Sequence, residues 1–198
     1  MGNMEAFFKF YTDAFEYSKT HFPEQVEWAR NVKFEDMTPT RLFLEYVWVI
    51  LCSGFKVSIA EKIMHKVFAD DGFHLEVVKH PLKRKAIEQG FKEFQLWFAR
   101  LKELSNERRI EFLDSLPHIG PITRYHLARN IGLDFAKPDV HLARLAKRFG
   151  FPDVETMCDF ISKRTKERIG VVDLVLWRYC AQGQPELNRP LSEFPEKP

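Results

Sequence analysis

The chain is 198 residues long and carries 30 Lys+Arg against 28 Asp+Glu, a formal net charge of +2. That length can bury a substantial core in one domain or two small lobes, and so small a net charge does not by itself argue for a polyanionic partner. Three dispersed cysteines (Cys52, Cys158 and Cys180) argue against a disulfide framework, and the most apolar run, 42–51, is interrupted by Glu45 and too short to cross a bilayer.

In chain order the apolar spacing predicts helices almost throughout, hence an all-α fold. MEAFFKFYTDAFEYSKTHF (4–22) begins one, and it mixes charge with aromatic residues where an export signal would need an apolar core. An intracellular protein is expected. Thr38-Pro39 caps a helix through LFLEYVWVILC (42–52). SIAEKIMHKVFADD (58–71), RKAIEQGFKEFQLWFARLKEL (84–104) and ERRIEFLDSL (107–116) follow with the same period. VVDLVLWRYC (171–180) is a C-terminal helix, and the proline-rich tail QPELNRPLSEFPEKP (184–198) is irregular. Neither an alternating strand pattern nor an internal repeat appears. His65, His74 and His80 show no metal-ligand spacing.

The densest information lies at 106–150. NERRIEFLD (106–114) ends before Pro117, and ITRYHLARN (122–130) stops near Gly132. Between them Pro121 suits the first position of the new helix, and Gly120 can take a backbone conformation closed to other residues. A helix beginning there would turn unpaired N–H groups and its positive dipole end outward, as a phosphate site requires. An ordinary connection between helices would use the same residues. A few residues on, Asp139 precedes the amphipathic VHLARLAKRFG (140–150); by itself it reads as a helix cap.

Taken together, these two segments resemble the helix-hairpin-helix DNA glycosylases. Leu116-Pro117-His118-Ile119-Gly120-Pro121-Ile122-Thr123 matches the family hairpin, and Pro138-Asp139-Val140-His141-Leu142-Ala143-Arg144 matches the segment holding its catalytic aspartate. EYVWVILCSGFKVSIAEKI (45–63) and LKRKAIEQGF (82–91) are similar to the family's pocket-lining and DNA-approaching segments, so the likeness spans about 38–180. It implies a contiguous lobe at 38–136, a second lobe from 1–37 plus 137–198, and a DNA cleft between them.

The implied activity is excision of a flipped, damaged base from double-stranded DNA by a monomeric enzyme, in the cytoplasm, nucleoid or nucleus. Glycosidic cleavage builds positive charge on the sugar, which the Asp139 carboxylate would stabilise while orienting or deprotonating water. Where bifunctional relatives carry a lysine this chain has Ile122. The resemblance therefore implies a monofunctional enzyme, for which alkylated purines are the expected substrate. His118 replaces the usual first glycine of the hairpin, and three cysteines are too few for the iron–sulfur cluster of many relatives.

The resemblance also distributes the site. His118, Gly120, Ile122 and Thr123 would meet phosphate, with Phe55 and Lys56 in a gap-filling loop opposite Leu82 or Pro81 and with Arg84. Phe55 also reads as one more core aromatic in a chain of 19 phenylalanines. Trp48, Tyr125, His126 and Trp177 are the pocket candidates, aromatic rings on which an electron-poor base could stack; rings at helical spacing also suit a core. KHPLKRK (79–85), Arg108, Arg109, Arg124, Arg129 and Lys137 form a candidate basic face, or a merely solvated one. Backbone carbonyls of Asp114, Leu116 and Ile119 match those that hold a monovalent cation in the family. Two alternatives stay open: a glycosylase/lyase, for example for oxidised bases, using a displaced amine such as Lys137 or Lys56, and a DNA-binding module without turnover.

Overall fold

The computed structural model describes residues 2–183, so the expected irregular tail, 184–198, lies outside the described residues. The chain divides into two units: Lys33–Leu133, and the residues up to Val32 together with those from Asp134 onward. The sequence-based boundaries were 38 and 136.

The contiguous unit is built on helix α3, Pro39–Cys52, started by Thr38, whose side chain accepts the Arg41 N–H, and by Pro39 in its first turn. Leu42, Phe43, Tyr46, Val47, Val49, Ile50 and Leu51 are all buried. At about 1.5–3 kcal/mol for each large apolar side chain taken from water, α3 is the main hydrophobic contributor to this unit. It packs along α5, Pro81–Glu103. Their close approach needs Gly90, where a Cβ would fall 2.5 Å from the Tyr46 ring. Helices α4 (Val57–Val67), α6 (Asn106–Asp114) and α7 (Thr123–Asn130) complete the unit.

One expectation fails in this region. The helix expected over 58–71 stops at Val67, and the chain reverses in a two-stranded antiparallel hairpin pairing Phe68 with Phe73 and Ala69 with Gly72. Gly72 takes φ +147, and that reversal puts Phe68 and Phe73 side by side. Both rings reach Phe43 at 6.0 Å, and Phe73 stacks on Phe91 at 4.8 Å. A continued helix would place residues five apart on different faces. The aromatic cluster outweighs the local helical pattern.

The other unit gathers α1 (Gly2–His21), α2 (Pro23–Asn31), α8 (Val140–Phe149), α9 (Val154–Thr165) and α10 (Ile169–Arg178), followed by a π-helical turn at Tyr179–Gly183. Its core includes Phe7, Leu142, Met157, Ile161, Val171, Val175 and Leu176. Phe7 stands 5.0 Å from both Phe149 and Phe151. Gly150 ends α8 in the left-handed conformation, φ +77, leaving the Phe151 N–H to bond back to Ala146.

Candidate active site

Helices α6 and α7 are the two arms of the hairpin. Between them Leu116 and Ile119 are buried, and the Ile119 N–H bonds the Leu116 carbonyl at 3.0 Å. With Pro117 second and a left-handed residue third, this is the pattern of a type II turn. The left-handed residue is His118, φ +62. The special conformation expected at Gly120 is therefore not there: Gly120 has no positive φ, and a Cβ on it would meet nothing within 4 Å. Burying both Leu116 and Ile119 forces the bend onto the residue between Pro117 and Ile119.

Thr123 and Gly120 are bound to each other rather than directed outward. The Gly120 N–H donates to Thr123 Oγ1 at 2.8 Å, and the Gly120 carbonyl accepts the Arg124 N–H at 2.9 Å. Pro121, expected at the first position of the helix, instead stands just ahead of it, since Ile122 is the N-cap and α7 begins at Thr123. The N–H groups of Ile122 and Thr123 bond to no described residue. These, with the dipole of α7, are the phosphate-competent atoms of the hairpin. Ile122 is 43% exposed beside them. At the far end, Gly132 takes φ +87 and returns its N–H to Arg129, while Leu133 bonds Ala128. This is the glycine stop read from the sequence.

Several residues that the sequence offered to DNA serve the fold. Arg124 pairs with Asp114 at 3.1 Å, joining the two arms, and its guanidinium lies 4.9 Å from the Tyr125 ring. Arg109 donates to the Leu101 carbonyl at 2.9 Å and packs over Phe34. Arg84 donates to the Val78 carbonyl at 2.9 Å. Lys83 is only 3% exposed; its ammonium bonds the Leu51 and Ser53 carbonyls at the end of α3 and sits 3.9 Å from the centre of the Phe55 ring. Cations complement a helix C-terminus. Burial pushes this lysine's pKa down. The basic face is accordingly thinner than the sequence suggested, with Lys79, Lys85 and Arg108 on the exposed side.

Phe55 is half-buried over Lys83, whereas Lys56, at the start of α4, and Pro81 are exposed. Leu82 is 65% exposed in the first turn of α5, an apolar side chain presented to solvent. His80 caps that helix, and its ring meets the His118 ring at 6.1 Å. Burial, and then the charge of Lys83 and the proximity of His80, hold the His118 imidazole below its ordinary pKa.

Trp48, Tyr125 and His126 belong to this same unit, half-buried on α3 and α7. So does a residue that sequence reasoning assigned no role in the site. Tyr46 is wholly buried, with its hydroxyl 2.8 Å from the Pro117 carbonyl and 3.1 Å from that of Ala86. It fastens the hairpin turn to α3 and α5. An apolar-looking position gave no signal of that bond.

Asp139 lies in the other unit, with Trp177, which packs partly buried against the core under the Arg178 guanidinium. Asp139 is the N-cap of α8, as its spacing foretold. The cap is lopsided. Oδ1 accepts both the His141 and Leu142 N–H groups at 3.0 Å, and Oδ2 bonds to no described residue. One oxygen therefore holds the helix, and the other keeps its lone pairs.

The fold is shared with solved structures of 8-oxoguanine DNA glycosylases. The 8-oxoguanine DNA glycosylase of Thermotoga maritima superposes with TM-score 0.69 at 23% identity, covering 91% of this chain and 98% of that one. The 8-oxoguanine DNA glycosylase of Methanocaldococcus jannaschii gives 0.66 at 19% identity over 88% of this chain and 94% of that one. A second structure from that organism, an 8-oxoguanine glycosylase/lyase in complex with a 15-mer DNA containing 8-oxoguanine, gives 0.63 at 19% identity over 86% and 96%. No family model and no curated protein matches the sequence, so the likeness is one of fold. Among the described residues no helix is long and apolar enough to cross a membrane.

Proposed function

We propose that this chain is a DNA base-excision glycosylase that removes an oxidised purine from duplex DNA by hydrolysis and leaves an abasic site. The observation that carries the reading is the half-used carboxylate of Asp139, within a fold shared with 8-oxoguanine glycosylases. The alkylated purine expected from the sequence has no counterpart among these neighbours, which are described as acting on 8-oxoguanine.

In this mechanism the Ile122 and Thr123 N–H groups take a phosphate, and Leu82 enters the gap left by the flipped base. As the glycosidic bond stretches, positive charge grows on the sugar and Asp139 Oδ2 stabilises it, a contribution of about 2.7–4 kcal/mol for a well-placed group. The base leaves with the glycosidic electron pair and takes up a proton from solvent, while water oriented by the same carboxylate adds its oxygen to C1′ and gives up a proton. Ile122 offers no amine, so no Schiff base forms at that position. The carbonyls of Asp114, Leu116 and Ile119 have the oxygen chemistry that a monovalent cation takes. Leu116 already accepts one N–H and keeps a second lone pair for it. Such an ion would fix the turn against a phosphate.

The test is single-turnover base release from duplexes carrying 8-oxoguanine, an alkylpurine, uracil or hypoxanthine, comparing the natural chain with Asp139→Asn. Asparagine keeps the capping oxygen and loses the charge, so the fold stays while release of 8-oxoguanine falls at least 100-fold, the scale of a lost electrostatic stabiliser. Tight binding with no release from any duplex would establish the non-catalytic module instead. A glycosylase/lyase relative among the neighbours favours one second reading, strand cleavage through a displaced amine such as Lys56 or Lys137. Borohydride trapping of the protein on DNA decides it.

A further inference from the structure

Asp173 occupies the middle of α10 and is 1% exposed among Val171, Val172, Leu174 and Val175. A carboxylate in such a setting must recover in hydrogen bonds what it loses in hydration. Its Oδ1 accepts the Lys137 backbone N–H at 3.0 Å. The Lys137 carbonyl in turn accepts the Asp139 N–H at 2.8 Å, closing a three-residue turn about Pro138. Two hydrogen bonds therefore connect the buried carboxylate to the backbone of Asp139.

The connection is reciprocal. Asp134, at the start of the same loop, accepts the Gly170 N–H at 2.9 Å, capping the first turn of α10, whose own N-cap residue Arg168 makes no side-chain cap. The loop fastens the helix at one end, and the helix fastens the loop at the other. Proline at 138 removes one donor and narrows the backbone further.

We propose that Asp173, assisted by Asp134, is the positioning residue that sets the height and orientation of the Asp139 carboxylate. This rests on the reading of Asp139 as the group that stabilises the sugar. Neither Asp173 nor Asp134 needs to touch the DNA. A small displacement of Asp139 is enough to slow the chemistry, because electrostatic stabilisation depends on where the charge is held.

Asp173→Ala is expected to slow single-turnover release of 8-oxoguanine roughly 10- to 100-fold, the scale of an ångström-sized misplacement. Affinity for the same duplex stays unchanged, and the Lys137 amide loses its protection from hydrogen exchange. Asp173→Asn keeps an acceptor oxygen and restores most of the rate. On an Asp139→Asn background, Asp173→Ala adds no further loss, since the group it positions is already gone. If Asp173→Ala does not fold, Asp134→Ala, at the exposed end of the strap, carries the same test with the same direction. A folded variant that releases base at the natural rate, or an asparagine variant as slow as alanine, overturns this proposal alone. No release by the natural chain from any duplex overturns both this proposal and the glycosylase reading.

Discussion

The Tyr46 hydroxyl, wholly buried, lies 2.8 Å from the carbonyl of Pro117 and shares its one proton with Ala86 at 3.1 Å. A residue of α3 thereby sets the position of the hairpin turn 71 residues on. Tyr46→Phe removes the donor and leaves two inward carbonyls without it, a loss of about 1–3 kcal/mol. The urea midpoint should fall accordingly, with the Ile119 amide exchanging faster than in the natural chain. Unchanged exchange at Ile119 would show that the turn holds without this bond.

Two glycines should respond differently to one added methyl group. Gly90→Ala drives a Cβ to 2.5 Å from the Tyr46 ring, and overpacking of this kind costs about 1–3 kcal/mol. Gly120→Ala meets nothing within 4 Å and should stay within about 0.5 kcal/mol of the natural chain. Equal effects in parallel denaturation curves would contradict the assignment of the hairpin's special conformation to His118.

His118 pays for a left-handed backbone that glycine adopts without strain. His118→Gly should raise stability by about 1 kcal/mol, the lower end of the left-handed penalty for residues with a side chain. Thermal denaturation measures it. A decrease would mean that the ring contact with His80, 6.1 Å between centroids, outweighs the backbone term.

Glu45 supplies a pH dependence. Burial raises its pKa above the ordinary glutamate value, against the lowering effect of its hydrogen bond from Asn130 at 2.9 Å. The folded protein therefore prefers the protonated form, and stability is lost as pH rises from the ordinary value through the raised one. Glu45→Gln keeps an acceptor for Asn130 and removes the charge. It should be more stable than the natural chain at pH 7 and equal to it near the ordinary value of 4.5 or below. Parallel stability profiles across that range would count against a Glu45 pKa raised by burial.

Local chemistry was legible in the sequence: Thr38-Pro39, Asp139 and Gly132 mark helix ends by hydrogen bonds and torsions that neighbouring residues decide. What escaped depends on distant partners. Lys83 looks like one cation in a run of them, yet it is buried because the carbonyls at the end of α3 lie above it. Arg124 looks like a phosphate ligand and instead answers Asp114. His118 marks the other limit, since its left-handed bend follows from burying Leu116 and Ile119 on either side. The Phe68–Phe73 reversal was hidden for the same reason, because a cluster centred on Phe43 decides it.

Gly132 has a partner that bears on how the chain could be rewired. A Cβ there would fall 2.4 Å from the Lys33 carbonyl carbon, so the last residues of the Lys33–Leu133 unit rest against its first. The segment enters and leaves at one place, like a cassette spliced into a host. Its ends could be joined by a short linker and new termini opened in an exposed loop, as circular permutation requires. A permuted cassette carrying the hairpin would be a compact tool for asking how much DNA affinity those helices hold by themselves.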